Sequence, residues 1–188
     1  MLVGAGLVFA DRGEDEHEYE REYESEHEEG FFSKWFKHDD AIAFKTEESG
    51  FYTEECGSCH FPFQPGFLPA GSWQQIMSGL DDHFGENAEL SDQDGQQILD
   101  YLTNNSAGKV NREIANKVMW SMRYTPETDR ITETAFFRHE HREIPPRILV
   151  NKGEKIAFSN CDSCHTRAMQ GSYDDDEIRI PGIGRWDD

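Results

Sequence analysis

All four cysteines of this 188-residue chain stand in two copies of one pattern, Cys56-Gly57-Ser58-Cys59-His60 and Cys161-Asp162-Ser163-Cys164-His165. Two thiols three residues apart lie on one turn of chain. There both can add across the two vinyl groups on one side of a porphyrin. The adjacent imidazole then points back over the ring and takes an axial position on the iron. Cys-x-x-Cys-His is accordingly the attachment signature of c-type haem. A zinc ribbon also pairs Cys-x-x-Cys motifs, but at a spacing of roughly 15–20 residues, far shorter than the separation of these two. A thioredoxin-like dithiol needs one such motif in a βαβ setting, without a trailing His. Two disulfides leave the histidines unexplained. With His at 8 of 188 positions, chance places it after both pairs about 0.2% of the time. The residues therefore point to two covalently attached haem c groups, held by Cys56 and Cys59 with His60 and by Cys161 and Cys164 with His165.

The second axial position decides between electron transfer and catalysis, and the candidates are the remaining His and Met residues. Ser72 followed by Gln75 reads as a capping box, with Gly85 as the stop of the helix it starts. Trp73, Ile76, Met77, Leu80 and Phe84 fall on one face of that helix, and His83 borders the stripe. His83 is the favoured ligand there, with Met77 its rival. A second helical pattern over Thr132–Glu143 stops at Pro145-Pro146 and carries His139 and His141. Two residues apart, they sit about 200° apart on a helix, so one at most faces a given haem. His141 is four residues from Phe137 and His139 three from Phe136, and periodicity does not choose between them. His38, between Lys37 and Asp39, reads as solvent-exposed.

The supporting elements are helical. Ser91 caps a helix over Asp92–Asn104 with acids in its first turn and Ile98, Leu99 and Leu102 on its apolar side. Asn111–Tyr124 carries Ile114, Ala115, Val118, Met119 and Met122 at helical spacing, the two methionines reading as core. Phe31, Phe32, Trp35 and Phe36 form a short aromatic patch that packs on its surroundings or meets a partner. No β-alternation stands out, and the haem motif is the only internal repeat.

The formal charge is −20, from 38 acidic and 18 basic residues, and only 36% of residues are hydrophobic. Nucleic-acid binding is excluded, since phosphates must be met by clustered Lys and Arg. No apolar run approaches the ~20 residues of a membrane span. Residues 11–30 hold eleven acids against Arg12 and Arg21 and read as a solvated, disordered arm, with cation binding or partner docking the alternative. Met1–Ala10 reads as the remnant of a signal peptide, with Val8 and Ala10 in the small-residue −3/−1 pattern but without a charged n-region.

Several long stretches resemble the bacterial dihaem cytochrome c family. They are Glu55 to Phe61, Gly66 to Ala70, Ser72-Trp73 and Asp82 to Ala88 around the first motif. Around the second they are Arg130 to Thr134, His141 to Pro145, Asn160 to His165 and Ile178 to Pro181. The resemblance spans about residues 33–181. It implies a mainly α protein with two small haem-binding lobes. The first, residues 31–108, resembles class I cytochrome c; the second, residues 109–188, is irregular. It further implies bis-histidine ligation, by His60 and His83 in the first lobe and by His165 and His141 in the second. Members of the family are periplasmic and pass electrons to a small oxygen-binding monohaem cytochrome. The acidic arm, and Gly71 where a basic residue is usual, depart from the pattern and bear on the docking surface.

Two imidazoles at each iron leave no open position for oxygen or peroxide, and replacing Met by His lowers the potential. The expected function is a low-potential electron carrier, not an enzyme, docking a redox partner with a basic surface. The alternative is a dihaem redox enzyme, peroxidase-like or sulfur-compound-oxidising, with one labile axial position.

Overall fold

Among the described residues three helices start where a side chain or a proline organises the first turn, at Pro69, Ser91 and Thr134, and two of these starting points bear on where the histidines end up. The computed structural model describes residue 1 and residues 47–125, 127–151 and 154–186. The signal-peptide remnant beyond Met1, the acidic arm, the Phe31–Phe36 patch and His38 lie outside them.

Among the described residues the architecture is mainly α: α1 (Glu47–Cys56), α2 (Ala70–Ser78), α3 (Asp92–Asn104), α4 (Glu113–Ser121) and α5 (Ala135–Glu140), joined by short 3₁₀ turns. Two antiparallel pairs of two-residue strands follow. Val150–Asn151 pairs with Glu154–Lys155, and Arg179–Ile180 with Gly184–Arg185. These hairpins carry no alternating pattern because each strand is only two residues long.

The helix α3 starts and ends as its sequence predicts. Ser91 accepts the Asp94 N–H at 3.2 Å, and Asp92 and Asp94 face the positive end of the helix dipole. Such a cap contributes about 1 kcal/mol. Ile98, Tyr101 and Leu102 are buried on its inner side. In contrast, α2 corrects the expected capping box. Pro69 is the N-cap, so the helix begins before Ser72, which is rolled into the core instead. The Ser72 hydroxyl is buried without a protein partner. Its neighbour Trp73 is anchored by an indole N–H donated to Pro65 O at 2.8 Å. The same helix stops at Ser78, capped by Gly79, and a 3₁₀ turn over Leu80–Asp82 follows. His83 therefore lies on a turn and not on a helix face.

The expected helix over Thr132–Glu143 is also shorter. A 3₁₀ turn holds Ile131–Glu133, and Thr134 in extended backbone caps α5 by accepting the Phe137 N–H at 3.1 Å. Asn111–Tyr124 resolves into α4 and a closing 3₁₀ turn at Met122–Tyr124. Met122 packs against the small cluster of Ala107, Ala115 and Val118. Met119, read as core, is exposed instead.

The main core joins Tyr52 of α1, Phe67, Leu68, Trp73 and the inner face of α3 to Ile131 and Phe137. Gln64 is fully buried and ties distant stretches together. Its amide donates to Ala168 O at 2.6 Å and its carbonyl oxygen accepts from the Tyr173 hydroxyl.

Candidate cofactor sites

The first motif hangs from the end of α1, whose last residue is Cys56. The Gly57 N–H continues the helical turn to Thr53 O at 3.0 Å. A Cβ at Gly57 would lie 2.2 Å from that same oxygen, so the close approach requires glycine. The second motif opens on a 3₁₀ turn at Cys161–Ser163, and the His165 N–H donates to Cys161 O at 2.8 Å. The motif is strapped along one side. Arg179 N–H donates to Cys164 O at 2.8 Å, and the Thr166 hydroxyl to Glu177 O at 3.1 Å.

None of the four cysteines forms a disulfide. Burial pushes the Cys56 thiol up to about 11 and the Cys161 thiol up to about 12, and raises that of Cys164. Thiolate chemistry and zinc binding want the opposite shift. Among the described residues, no three His, Cys, Asp or Glu converge as a metal site.

What the chain does assemble is two pairs of imidazoles. His60 and His83 have ring centres 6.1 Å apart and planes 19° from parallel. His141 and His165 also have ring centres 6.1 Å apart, with planes at 72°. An ion between two imidazoles requires about 6 Å, from a metal–nitrogen bond of ~2 Å and roughly 1.1 Å from nitrogen to ring centre on each side. Two ligands with no third among the described residues suit an iron whose equatorial positions are filled by a macrocycle. The residues fit haem.

The nitrogens are disposed accordingly. His60 Nδ1 bonds Phe61 O at 2.7 Å and His141 Nδ1 bonds Phe137 O at 2.9 Å, which leaves Nε2 of each for a metal. His165 Nδ1 is buried without a partner. Burial lowers the pKa of His83, His141 and His165, the last to about 4. Each is thus a neutral imidazole at neutral pH, the form a metal needs.

Aromatic rings wall both pairs. Phe63 lies 5.3 Å from His60, while Phe137 stacks on His141 at 3.9 Å and Tyr173 packs edgewise on His165 at 5.1 Å. Phe158 closes the second pair at 5.6 Å from His141.

The structure sets His83 opposite His60 and His141 opposite His165, while the cysteines stand beside the motif histidines by sequence alone. His139, left open against His141 by periodicity, is exposed, with the Arg142 guanidinium 2.8 Å from its Nδ1. Met77 packs against the main core. The helix α1 carries no strong amphipathic stripe and escaped sequence reasoning. So did Gln64 and Tyr173, whose partners lie more than a hundred residues away.

No curated protein matches the chain. Among solved structures it is similar to a dihaem cytochrome c from Shewanella baltica OS155, with 37% identity and a TM-score of 0.61, over 76% of this chain and 100% of that one. It is also similar to dihaem cytochrome c from Rhodobacter sphaeroides, with 34% identity and a TM-score of 0.56, over 66% of this chain and 95% of that one. The family model for dihaem cytochrome c matches residues 52–173. The chain belongs to the dihaem cytochrome c family, electron-transfer haem proteins, and its cofactors are two haem c groups.

Proposed function

We propose that this chain is a low-potential electron carrier of the bacterial periplasm whose two haems are both bis-histidine ligated. Cys56 and Cys59 attach the first haem, with His60 and His83 as its axial ligands. Cys161 and Cys164 attach the second, with His165 and His141. The two are held by the lobes 31–108 and 109–188. The observation that carries this reading is the matched 6.1 Å separation of the two imidazole pairs.

Each bound haem supplies a one-electron ferric–ferrous couple. The protein's part is to hold both axial positions, exclude water and set the potential. The Phe61 and Phe137 carbonyls accept the Nδ1 protons of His60 and His141. They fix those tautomers and make the opposite nitrogens more basic, which favours the ferric state. Phe137, Phe158 and Tyr173 keep solvent from the second pair. With imidazole on both faces, no position stays open for oxygen or peroxide, and the chain carries electrons without catalysing a reaction. Among the described residues no helix is long and apolar enough to cross a membrane. The partner is a redox protein with a basic docking surface, of the kind the family serves, a small oxygen-binding monohaem cytochrome.

Potentiometry tests the ligand set. His83→Met and His141→Met each raise one of the two potentials and introduce a His/Met absorption band at the far-red edge of the spectrum. A variant that leaves both potentials where they were removes its histidine from the ligand set.

A further inference from the structure

His83 sits on a two-residue hairpin loop. Its N–H donates to Glu86 O at 2.7 Å, and the Glu86 N–H returns to His83 O at 3.2 Å. Between them Phe84 has φ +57° and Gly85 φ +101°. Positive φ at both central residues is the mark of a type I′ turn, whose first central position favours Asn, Asp or Gly. Phe84 is the one non-glycine residue with positive φ among those described, and that conformation presses its Cβ on the backbone.

Burial does not hold it there, since the residue is 43% exposed. The Arg130 guanidinium lies over the ring, with its carbon 4.0 Å from the ring centre. Arg130 is anchored in turn. Its N–H donates to Thr128 Oγ1 at 3.1 Å, and the next residue, Ile131, is in the core. The Phe84 ring also lies 4.8 Å from the His83 ring. A line of contact therefore runs from an exposed cation on a held stretch of backbone, through a strained aromatic, to the imidazole opposite His60.

We propose that Phe84 and Arg130 are positioning residues that latch His83 in place. The cation seated on the ring keeps the turn in its left-handed form and so keeps His83 on its axial position. This rests on the reading of His83 as a ligand. Without the cation, the turn relaxes and His83 gives up its bond to iron. Carbon monoxide then bonds there through carbon, and no electron changes hands.

The test is carbon monoxide uptake by the reduced holoprotein. Uptake by the parent is slow because release of His83 limits it. In Arg130→Gln the rate rises about two- to fivefold, the range an exposed cation–π contact supports. Arg130→Lys, which keeps a cation over the ring, stays within about twofold of the parent. Glycine adopts the turn unaided, so Phe84→Gly combined with Arg130→Gln returns the rate towards the parent. The latch is refuted if Arg130→Gln gains nothing, or if the double variant is as open as Arg130→Gln. His83→Ala separates the two claims. It takes up carbon monoxide at one haem if His83 is a ligand, and failure there overturns that assignment and not the latch alone.

Discussion

Histidine does the work at the smallest scale, and a histidine becomes a ligand through what holds its other nitrogen. In α5 the contrast between two candidates is sharp. His141 closes the helix with its Nδ1 on Phe137 O and its ring stacked on Phe137. His139, two residues earlier, turns to solvent and meets Arg142. His139→Ala should therefore leave both haem spectra unchanged. His141→Ala should alter one of them, converting a low-spin band pattern to high-spin in optical spectroscopy. The reverse outcome reassigns the second site. The i,i+4 spacing from Phe137 was legible in the sequence, but so was the i,i+3 spacing of His139 from Phe136. Only the placement of Thr134 as the cap fixes the rotation of the helix.

Elements set the angle at which each motif is presented. The first motif leaves α1 through Gly57, where a Cβ would meet Thr53 O at 2.2 Å with backbone that cannot swing away. Gly57→Ala should cost about 1–3 kcal/mol locally. Mass spectrometry should then find a substantial fraction of protein with one haem instead of two. The second motif depends on a strap whose key contact is Glu177. It accepts from Ser172 Oγ and Arg167, both at 2.6 Å. These bonds, that of Ser172 first, lower the Glu177 pKa. A carboxylate with a lowered folded pKa stabilises above its unfolded value of ~4.3 and loses that contribution as pH falls through the folded value. Thermal melts of Glu177→Gln should therefore show a Tm deficit near pH 7 that narrows as the pH falls below the unfolded value of ~4.3. A deficit unchanged in acid would assign the effect to packing. Helices such as α3 were legible because cap, dipole and stripe agree. The ends of α2 were not, because Pro69 starts it early and Gly79 ends it before the histidine its stripe seemed to carry.

For the whole molecule, charge and the long-range bridge matter most. Residues 1–108 hold 24 acids against 5 bases, while residues 109–188 hold 14 against 13. The first haem site thus lies in the acidic part of the sequence, the part suited to a basic partner. Association should weaken with salt, and deleting residues 11–30 should flatten that dependence in stopped-flow electron transfer without changing either haem spectrum. An unchanged salt slope would place docking elsewhere. The shortage of hydrophobic residues has a matching explanation: two haem c groups supply apolar surface that the amino-acid composition does not count. The Gln64 bridge was invisible because an amide four residues past His60 carries no signal that its partners are Ala168 and Tyr173. Local patterns announce local structure; contacts spanning a hundred residues form only once the chain is folded.

The central claim is that both irons carry two imidazoles, and electron paramagnetic resonance of the oxidised protein tests it most directly. Nearly parallel rings at the first site (19°) and nearly perpendicular rings at the second (72°) split the iron d orbitals unequally. Two low-spin ferric signals of clearly different anisotropy, one haem each, are expected. A high-spin signal from either haem in the protein as isolated would contradict the account.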